Sequence, residues 1–409
     1  MKQKNRHPRS SRKYGHHFHP LLFFSKFRKT TGLRISAGKQ PGKAPMNILF
    51  VNSARTWGGT EKWTHMAAEA LAESHHTALA YRRDLVGERF SVPKFRLPFS
   101  SHIDLCTLFR LVAIMRAERI DVVIPTKRKD YLIAGLAGRI CRTTTILRLG
   151  IERRLTIPLL HRLIYRTLPH GLIVNAEKIR TTLLQSPFMK AQRIRVIHNG
   201  VDTASIDRQK GGDIPKNTCF TVTAAGILTA RKGFGFLIGG FARFLSLAPD
   251  IRAELVIIGD GPKKKELQEN CAALGIAGRV RFTGFLDNPY PLMAASHVTA
   301  MTSINEGISN ALLEGMYLMN VPVSTPAGGT GELIDNGRNG FLVDYGDLDS
   351  LASVLHELYR HPDKRCTLAG HARSTVLESF SLTVMRDAIA AFCAEPVRSG
   401  KSAEERKQP

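Results

Sequence analysis

The stretch MNILFVNSARTWGGTEKWTHMAAEALAES, residues 46–74, decides the fold. It begins with an apolar run that ends in a polar turn, continues through a glycine-containing loop, and ends in a segment of helical composition. A parallel strand is apolar throughout because helices cover both faces of its sheet. The order strand, loop, helix therefore predicts one unit of a parallel α/β sheet.

The same alternation recurs along the chain. A polar, glycine-containing segment at 202–217 divides it into two blocks and predicts a domain boundary. We predict two Rossmann-like, doubly wound domains that face a cleft, at 46–200 and 201–380, with ligands bound beyond the carboxyl ends of the strands. The further predicted strands are 120–126, 170–176, 194–200, 219–226, 253–262, 280–284, 298–303, 321–326 and 340–344.

Composition excludes several classes of protein. The 409 residues are 43% hydrophobic, which is typical of a globular chain. No apolar run approaches the roughly 18 residues that a membrane-spanning helix needs. The six cysteines are scattered without a CxxC pair. This argues against a zinc site or a disulfide framework and for a reducing compartment.

The formal charge of +25 is unevenly distributed. Residues 1–45 contain twelve Lys or Arg and no acid, and we predict that they form a disordered basic extension ahead of Met46. A second tail is predicted at 397–409. The charge of the remaining chain favours anionic ligands or an anionic membrane surface. Nucleic-acid binding is an alternative that only the charge suggests, and no specific nucleic acid is predicted.

The segment INEGISNALLEGM, residues 304–316, combines two carboxylates with a predicted helix start. Its small residues at 307–310 precede a helix that Ser309 could cap, and free N–H groups there attract a phosphate. Glu314 lies one turn into the helix, where a carboxylate suits the two hydroxyls of a ribose. Glu306 is placed to hold a group beyond the phosphate. The alternative is a pair of solvated acids around a capped helix.

Two further loops carry residues suited to an anionic ligand. Arg231 and Lys232 in TARKGF, residues 229–234, could hold a diphosphate, although basic loop residues are often just solvated. Gly58 and Gly59 let the backbone approach a ligand closely. The pattern is not GxGxxG, so a dinucleotide is not indicated. No acidic pair lies in a strand-end loop where it could hold a metal ion, and we predict no metal and no cofactor.

In their order along the chain, seven motifs resemble the retaining nucleotide-sugar glycosyltransferases of family 4, which have the GT-B fold. The resemblance runs from about residue 46 to about residue 395. It implies that the second domain holds most of the nucleotide, and that a final helix at 381–396 crosses back to the first domain. The motifs are WGGTE, VIHNGVD, RKGF, LVIIGDGP, VRFTGF, EGISNALLE and GGTGELI followed by GRNGFLV.

The resemblance also implies roles for site residues. Glu314 corresponds to the ribose-binding acid, Glu306 to the acid that contacts the donor sugar, and Lys232 to the phosphate lysine, with Arg231 assisting. Gly58 and Gly59 correspond to the loop that closes over the donor or admits the acceptor. The diphosphate-binding helix start corresponds to Gly307, Ile308, Ser309 and Asn310.

The chain departs from the family pattern at two places. Ile227 stands where the family often has an arginine, and the segment VVIPTKRKD has no histidine where the family often has one. We therefore assign no catalytic base. KRKDYLIAGLAGRI, residues 127–140, resembles members that act on lipopolysaccharide core.

The resemblance implies transfer of a sugar from a nucleoside-diphosphate sugar to a hydroxyl of a cell-envelope glycan or glycolipid, such as lipopolysaccharide core. The predicted location is the cytoplasm, with peripheral contact at the inner face of the cytoplasmic membrane. A nucleotide-sugar epimerase or a phosphorylase on the same fold is the alternative enzyme. A phosphorylase would need a pyridoxal-binding lysine and a much longer chain.

Overall fold

A computed structural model describes residues 44–101, 104–248 and 250–395. The predicted tail at 397–409 and the predicted extension up to residue 43 lie outside the described residues. Within the described part, the chain forms two α/β domains, each built on one parallel sheet. The predicted fold class is confirmed.

The first domain contains a seven-stranded sheet in the order β3-β2-β1-β4-β5-β6-β7, and every neighbouring pair is parallel. Its strands are β1 (Asn47–Asn52), β2 (His76–Tyr81), β3 (Lys94–Arg96), β4 (Val122–Pro125), β5 (Thr144–Leu149), β6 (Gly171–Val174) and β7 (Ile194–Val196). Its helices are α1 (Gly59–Ala72), α2 (Asp84–Gly87), α3 (Leu105–Ala117), α4 (Arg128–Cys141), α5 (Pro158–Arg162), which a π-helical turn continues to Thr167, and α6 (Glu177–Leu184).

The second domain contains a six-stranded parallel sheet in the order β10-β9-β8-β11-β12-β13. Its strands are β8 (Phe220–Ala225), β9 (Ala253–Ile258), β10 (Val280–Gly284), β11 (Val298–Met301), β12 (Val321–Ser324) and β13 (Phe341–Leu342). The helices are α7 (Thr203–Lys210) between the sheets, then α8 (Phe234–Leu245), α9 (Lys264–Ala273), α10 (Tyr290–Ala294), α11 (Asn310–Tyr317), α12 (Leu348–Arg360), α13 (Pro362–Ser379) and α14 (Leu382–Cys393).

Strand order determines where a ligand can bind. In the first sheet the order in which successive strands are added reverses between β1 and β4, and in the second sheet it reverses between β8 and β11. The loops after such a neighbouring pair diverge to opposite faces and leave a crevice at the carboxyl ends of the strands. The loops that contain Gly58, Lys232 and Glu306 follow β1, β8 and β11, so all three arise at these reversal points.

The final helix packs against the first domain. Met385, Ile389 and Phe392 of α14 belong to the same apolar cluster as Ile48 of β1 and Trp63 of α1. The first sheet ends at β7 and the second begins at β8. The predicted boundaries at 200 and 380 stay predictions, because a domain boundary is a property of motion as well as of strand order.

Contacts across the two domains include a helix cap. Glu332 of the second domain accepts hydrogen bonds from the backbone N–H groups of Glu177, at 2.7 Å, and Lys178, at 3.3 Å, at the start of α6. Its other oxygen lies 3.0 Å from Nε2 of His198. A carboxylate at a helix N-terminus is stabilised by the free N–H groups and the helix dipole. Burial would raise the pKa of Glu332, but His198 and these N–H groups lower it.

Among the described residues, no helix combines the length and the apolar character that crossing a membrane requires.

Two buried aspartates of the first domain have pKa values that move in opposite directions. Asp130, in the first turn of α4, accepts a hydrogen bond from Ser53 N at 2.9 Å, while its Oδ1 has no partner among the described residues. Burial raises the pKa of Asp130 to about 7, against the effect of Ser53. Burial would also raise the pKa of Asp104, the N-cap of α3, but hydrogen bonds from Ser100 and Thr107 lower it.

Asp130→Asn should be more stable to urea than the parent, by a margin that grows with pH. The folded-state pKa of Asp130 lies above its unfolded value, so the parent loses stability as pH rises between the two values. An amide has the shape of the protonated carboxyl and can still accept the Ser53 N–H. We expect the difference in the free energy of unfolding to widen by about 1–3 kcal/mol between pH 5 and pH 8.

Asp104→Asn is the matched control, and its predicted effect on the free energy of unfolding has the opposite sign. A lowered carboxyl pKa contributes stability above the unfolded pKa, so this variant should be less stable than the parent by a constant amount across the same pH range. A margin for Asp130→Asn that does not change with pH would show that Asp130 is ionised in the folded protein at neutral pH.

Candidate functional site

The loops that follow β8 and β11 are joined by backbone contacts. Gly233 has a φ of +65°, and a Cβ there would lie 1.9 Å from the carbonyl oxygen of Thr302. The hydroxyl of Thr302 donates to the carbonyl of Gly233 at 3.0 Å, and Ile304 N donates to the carbonyl of Arg231 at 2.9 Å. The glycine of RKGF is thus required by a close approach between the two loops, which fixes their relative position.

This junction brings three predicted site residues together. Lys232 Nζ donates to Glu306 Oε2 at 2.6 Å, and Arg231 Nη1 donates to the same oxygen at 3.1 Å and to the carbonyl of Asn305 at 2.6 Å. Burial would raise the pKa of Glu306, but the two cations outweigh it and hold that pKa below its usual value. The site therefore contains one ionised carboxylate beside two cations. The carboxylate compensates only part of the positive charge.

The predicted helix start follows directly. Ser309 occupies the N-cap position of α11, but its side chain makes no capping hydrogen bond, contrary to our expectation. The side chain of Ile308 is buried in the core, so Ile308 can serve a ligand only through its backbone. Asn310 Nδ2 is buried without a partner among the described residues. The start of α11 therefore offers backbone N–H groups and an unpaired amide donor, which suits an anion.

Residues of the first domain support this helix start. Asn199 Nδ2 donates to the carbonyl of Ile308 and to Asn310 Oδ1, both at 2.8 Å, and Arg148 donates to Asn199 Oδ1 at 3.2 Å. Gly307 lies against the first domain, where a Cβ would come within 2.5 Å of Asn175 Oδ1. The sequence analysis assigned no role to Asn199, although it stands in the VIHNGVD motif.

Glu314 is the second predicted carboxylate, and it is covered. Its side chain is 8% exposed, and Lys62 Nζ lies 2.7 Å from its Oε1. Lys62 also donates to the hydroxyl of Tyr290 at 2.8 Å. Lys62 belongs to α1 of the first domain and directly follows the WGGTE motif, so proximity to a motif was the one sequence signal that could have identified it.

The glycine loop of the first domain faces the second domain. Gly58 is the N-cap of α1 and Gly59 its first residue. A Cβ at Gly58 would lie 3.8 Å from Cδ1 of Ile227. The predicted loop therefore lies opposite the position where the family often has an arginine, and an isoleucine there offers an apolar contact instead of a charge.

A polar cluster that the sequence analysis did not predict lies next to this loop, in the first domain. Glu61 is buried and its Oε1 lies 2.6 Å from Lys127 Nζ. Asn52, at the end of β1, donates to Glu61 at 3.4 Å and to the hydroxyl of Thr126 at 3.0 Å. These side chains follow β1 and β4, the reversal point of the first sheet, and sequence spacing alone does not bring them together.

No group of three or more His, Cys, Asp or Glu suited to a metal ion occurs among the described residues. Asp347 is the N-cap of α12 and accepts a hydrogen bond from Ser350 N at 2.9 Å.

Comparisons with known proteins find a glycosyltransferase family model for each of the two domains. The family model for glycosyltransferase family 4 matches residues 57–205, and the model for group 1 glycosyl transferases matches residues 219–361. Together the two models cover most of the described chain.

Individual relatives match over different lengths. The chain is 33% identical over 200 residues to the lipopolysaccharide core biosynthesis glycosyltransferase LpsE of Rhizobium meliloti, covering 48% of this chain and 56% of LpsE. It is 28% identical over 348 residues to EpsD of Bacillus subtilis, covering 79% of this chain and 88% of EpsD. The chain thus spans about half the length of LpsE and most of EpsD.

Among solved structures, HepE of Anabaena in complex with UDP-glucose aligns with a TM-score of 0.71 at 23% identity. The alignment covers 85% of this chain and 98% of HepE. This similarity shows the fold. The family models matched to the two domains show that the chain, which has this GT-B fold, belongs to glycosyltransferase family 4.

Proposed function

We propose that this protein transfers a sugar, with retention of anomeric configuration, from a nucleoside-diphosphate sugar to a hydroxyl of a cell-envelope glycan or glycolipid, such as lipopolysaccharide core. The observation that carries the proposal is the arrangement around α11. A carboxylate paired with two cations precedes the helix start, and a second carboxylate lies one turn inside the helix. Such a site offers separate partners for a sugar, a diphosphate and a ribose.

The proposed donor site divides the ligand among these groups. Glu306 accepts hydrogen bonds from sugar hydroxyls, the start of α11 and the two cations hold the diphosphate, and Glu314 accepts from the ribose. HepE, which shares the fold, binds UDP-glucose. Ribose recognition by Glu314 requires the carboxylate to accept two hydroxyl hydrogen bonds, which charged acceptors do more strongly than neutral ones.

In the proposed reaction, the acceptor oxygen forms a bond to the anomeric carbon as the bond from that carbon to the diphosphate breaks. The hydroxyl proton passes to the leaving diphosphate, which retains the electron pair. Negative charge grows on the diphosphate, and Lys232 stabilises it with assistance from Arg231. A fixed cation that gains interaction in the transition state accelerates the reaction. We propose that the protein requires no metal ion for this step.

The proposed acceptor is linked to a membrane, and one surface of the first domain supports this. Here the basic apolar face denotes the outer surface of α4, α5 and the connection between β5 and α5. Leu159 is 85% exposed, an unusual exposure for a leucine. The other exposed apolar side chains of this face are Leu136, Ile140, Ile151, Ile157, Leu160 and Leu163.

The same face is rich in positive charge. Residues 128–168 contain nine Lys or Arg, of which Arg148 is buried and eight remain for this face. The segment has two acids: Asp130 is buried, and Glu152 accepts a hydrogen bond from Thr182. Burial lowers the pKa of His161 in this segment, and Arg128 and Arg153 lower it further, so both arginines lie near α5. Exposed leucines beside arginines suit an anionic bilayer surface, where each basic residue contributes about 1 kcal/mol.

Glu314→Gln should weaken nucleotide binding, and Glu306→Gln should mainly lower turnover. The first loses a charged acceptor for two ribose hydroxyls, worth about 1.5–3 kcal/mol, or roughly a tenfold to hundredfold change in affinity. Glu306→Gln loses the contact with the transferred sugar. The free nucleotide carries no such sugar, so its affinity should not depend on this contact. The measurement is calorimetry with UDP, GDP, ADP and CMP, followed by turnover with the matching sugar donor.

Glu269→Gln, an exposed acid on α9, is the control and should leave both quantities unchanged. Equal nucleotide affinity in Glu314→Gln and the parent would contradict the ribose assignment. No binding of any of the four nucleotides to the parent would contradict the proposed function itself.

Replacing Leu159 and Leu160 together by glutamine should weaken binding to vesicles of phosphatidylglycerol and phosphatidylcholine by about 5- to 20-fold, because two apolar side chains no longer insert. The measurement is cosedimentation of the full chain at raised salt, which screens the charges of residues 1–45.

Leu247 and Leu274, exposed on the second domain, provide the matched pair of glutamine substitutions, which should leave vesicle binding unchanged. Equal losses in the two double variants would show that the basic apolar face does not contact the membrane.

A further inference from the structure

The ion pair between Lys62 and Glu314 joins the two domains at the proposed ribose site. Lys62 lies on α1, and Glu314 lies on α11. The ammonium is 2.7 Å from Glu314 Oε1 and 2.8 Å from the hydroxyl of Tyr290, which begins α10 of the second domain. A single side chain of the first domain therefore contacts two elements of the second.

This contact covers the carboxylate. The side chain of Glu314 is only 8% exposed, whereas that of Lys62 is 29% exposed. A ribose that contacts Glu314 needs access to both carboxylate oxygens, and Lys62 lies against one of them. Since α11 is packed into the core through Leu312, Leu313 and Met316, the helix itself cannot readily move to expose the acid. Lys62 is the group that can move.

The electrostatics keep Lys62 charged while it is in this position. Burial would lower its pKa, but Glu314 and Tyr290 outweigh burial and raise the pKa above the usual value for lysine. A charged pair with little exposure is screened less than a surface pair, so the contact is a stronger constraint than an exposed ion pair. A ligand must replace this interaction to use the carboxylate.

We propose that Lys62 competes with the nucleotide ribose for Glu314, and that nucleotide binding requires Lys62 to release the acid and loosens the contact between the domains. The proposal rests on the proposed function, in which Glu314 is the ribose-binding acid. Lys62 is then a positioning residue that holds the cleft closed through Glu314 and Tyr290. Its release leaves a cation close to an anionic ligand.

A second ion pair across the cleft provides a matched control. Arg89 of the first domain lies 2.8 Å from Asp287 of the second, and both side chains are more exposed than those of the Lys62 pair. Arg89→Met removes one positive charge and one contact between the domains without touching Glu314. It therefore reports the general effect of losing a cation near an anionic ligand.

Lys62→Met should make Glu314 accessible and tighten nucleotide binding. Without added nucleotide, hydrogen exchange in the peptide containing Lys62 and in the peptide containing Tyr290 should be faster than in the parent. With the tightest binder among UDP, GDP, ADP and CMP, affinity should increase by about 3- to 10-fold relative to Arg89→Met, because more of the protein is competent to bind. Tyr290→Phe should act in the same direction with a smaller effect.

A double-mutant cycle then assigns the effect to Glu314. In the Glu314→Gln background, Lys62→Met should bring no gain in affinity, since the competitor has lost its partner. Weaker or unchanged binding in Lys62→Met relative to Arg89→Met would overturn the proposal. If no nucleotide binds the parent, the proposed function fails, and the hydrogen-exchange comparison still decides whether Lys62 closes the cleft.

Discussion

The close approach of Gly233 to the carbonyl oxygen of Thr302 is the constraint on which the cleft depends. A left-handed glycine lets the loop after β8 turn against the loop after β11, with a spacing that no side chain fits. The turn places Lys232 and Arg231 beside Glu306, although these residues are far apart in sequence. The charged group is thus positioned by backbone geometry, and the cations are held on structure that parallel-strand pairing makes rigid.

Cation–carboxylate pairs recur in this cleft, and each pair joins two structural units. Lys232 and Glu306 join the loops of two neighbouring strands, whereas Lys62 and Glu314 join the two domains. A carboxylate held by a cation stays ionised and is ready to accept hydroxyl hydrogen bonds. A cation held by a carboxylate is available when a more highly charged anion arrives. We therefore expect ligand binding to replace one member of each existing ion pair: ligand hydroxyls take the place of a cation at the carboxylate, and the ligand's anionic group takes the place of a carboxylate at the cation.

Much of the fold followed from the sequence because buried parallel strands are apolar over their whole length. The predicted strands at 219–226 and 298–303 contain β8 and β11, whose order puts the motifs at one edge of the sheet. β2, β3 and β5 were not predicted. β5 contains Arg148, a buried arginine whose Cζ lies 4.4 Å from the centroid of the Trp63 ring. From the sequence alone, an arginine is expected at the surface.

The candidate site was predicted less completely than the fold. Glu306, Lys232 and Glu314 were predicted as site residues from local motifs, and their roles stay predictions. Contacts such as that of Lys62 with Glu314 depend on how the domains dock, which local patterns do not encode. The missing capping bond of Ser309 has a similar cause: Asn199 of the other domain instead contacts this helix start.

In the proposed reaction, Lys232 stabilises the leaving diphosphate without a metal ion. The most direct measurement is the rate of sugar transfer in excess EDTA for the parent and for Lys232→Ala, at saturating donor. We expect full activity of the parent and a loss on the order of 10²–10³ in turnover for the variant. Activity of the parent that EDTA abolishes and Mg²⁺ restores, or a fully active Lys232→Ala, would contradict it.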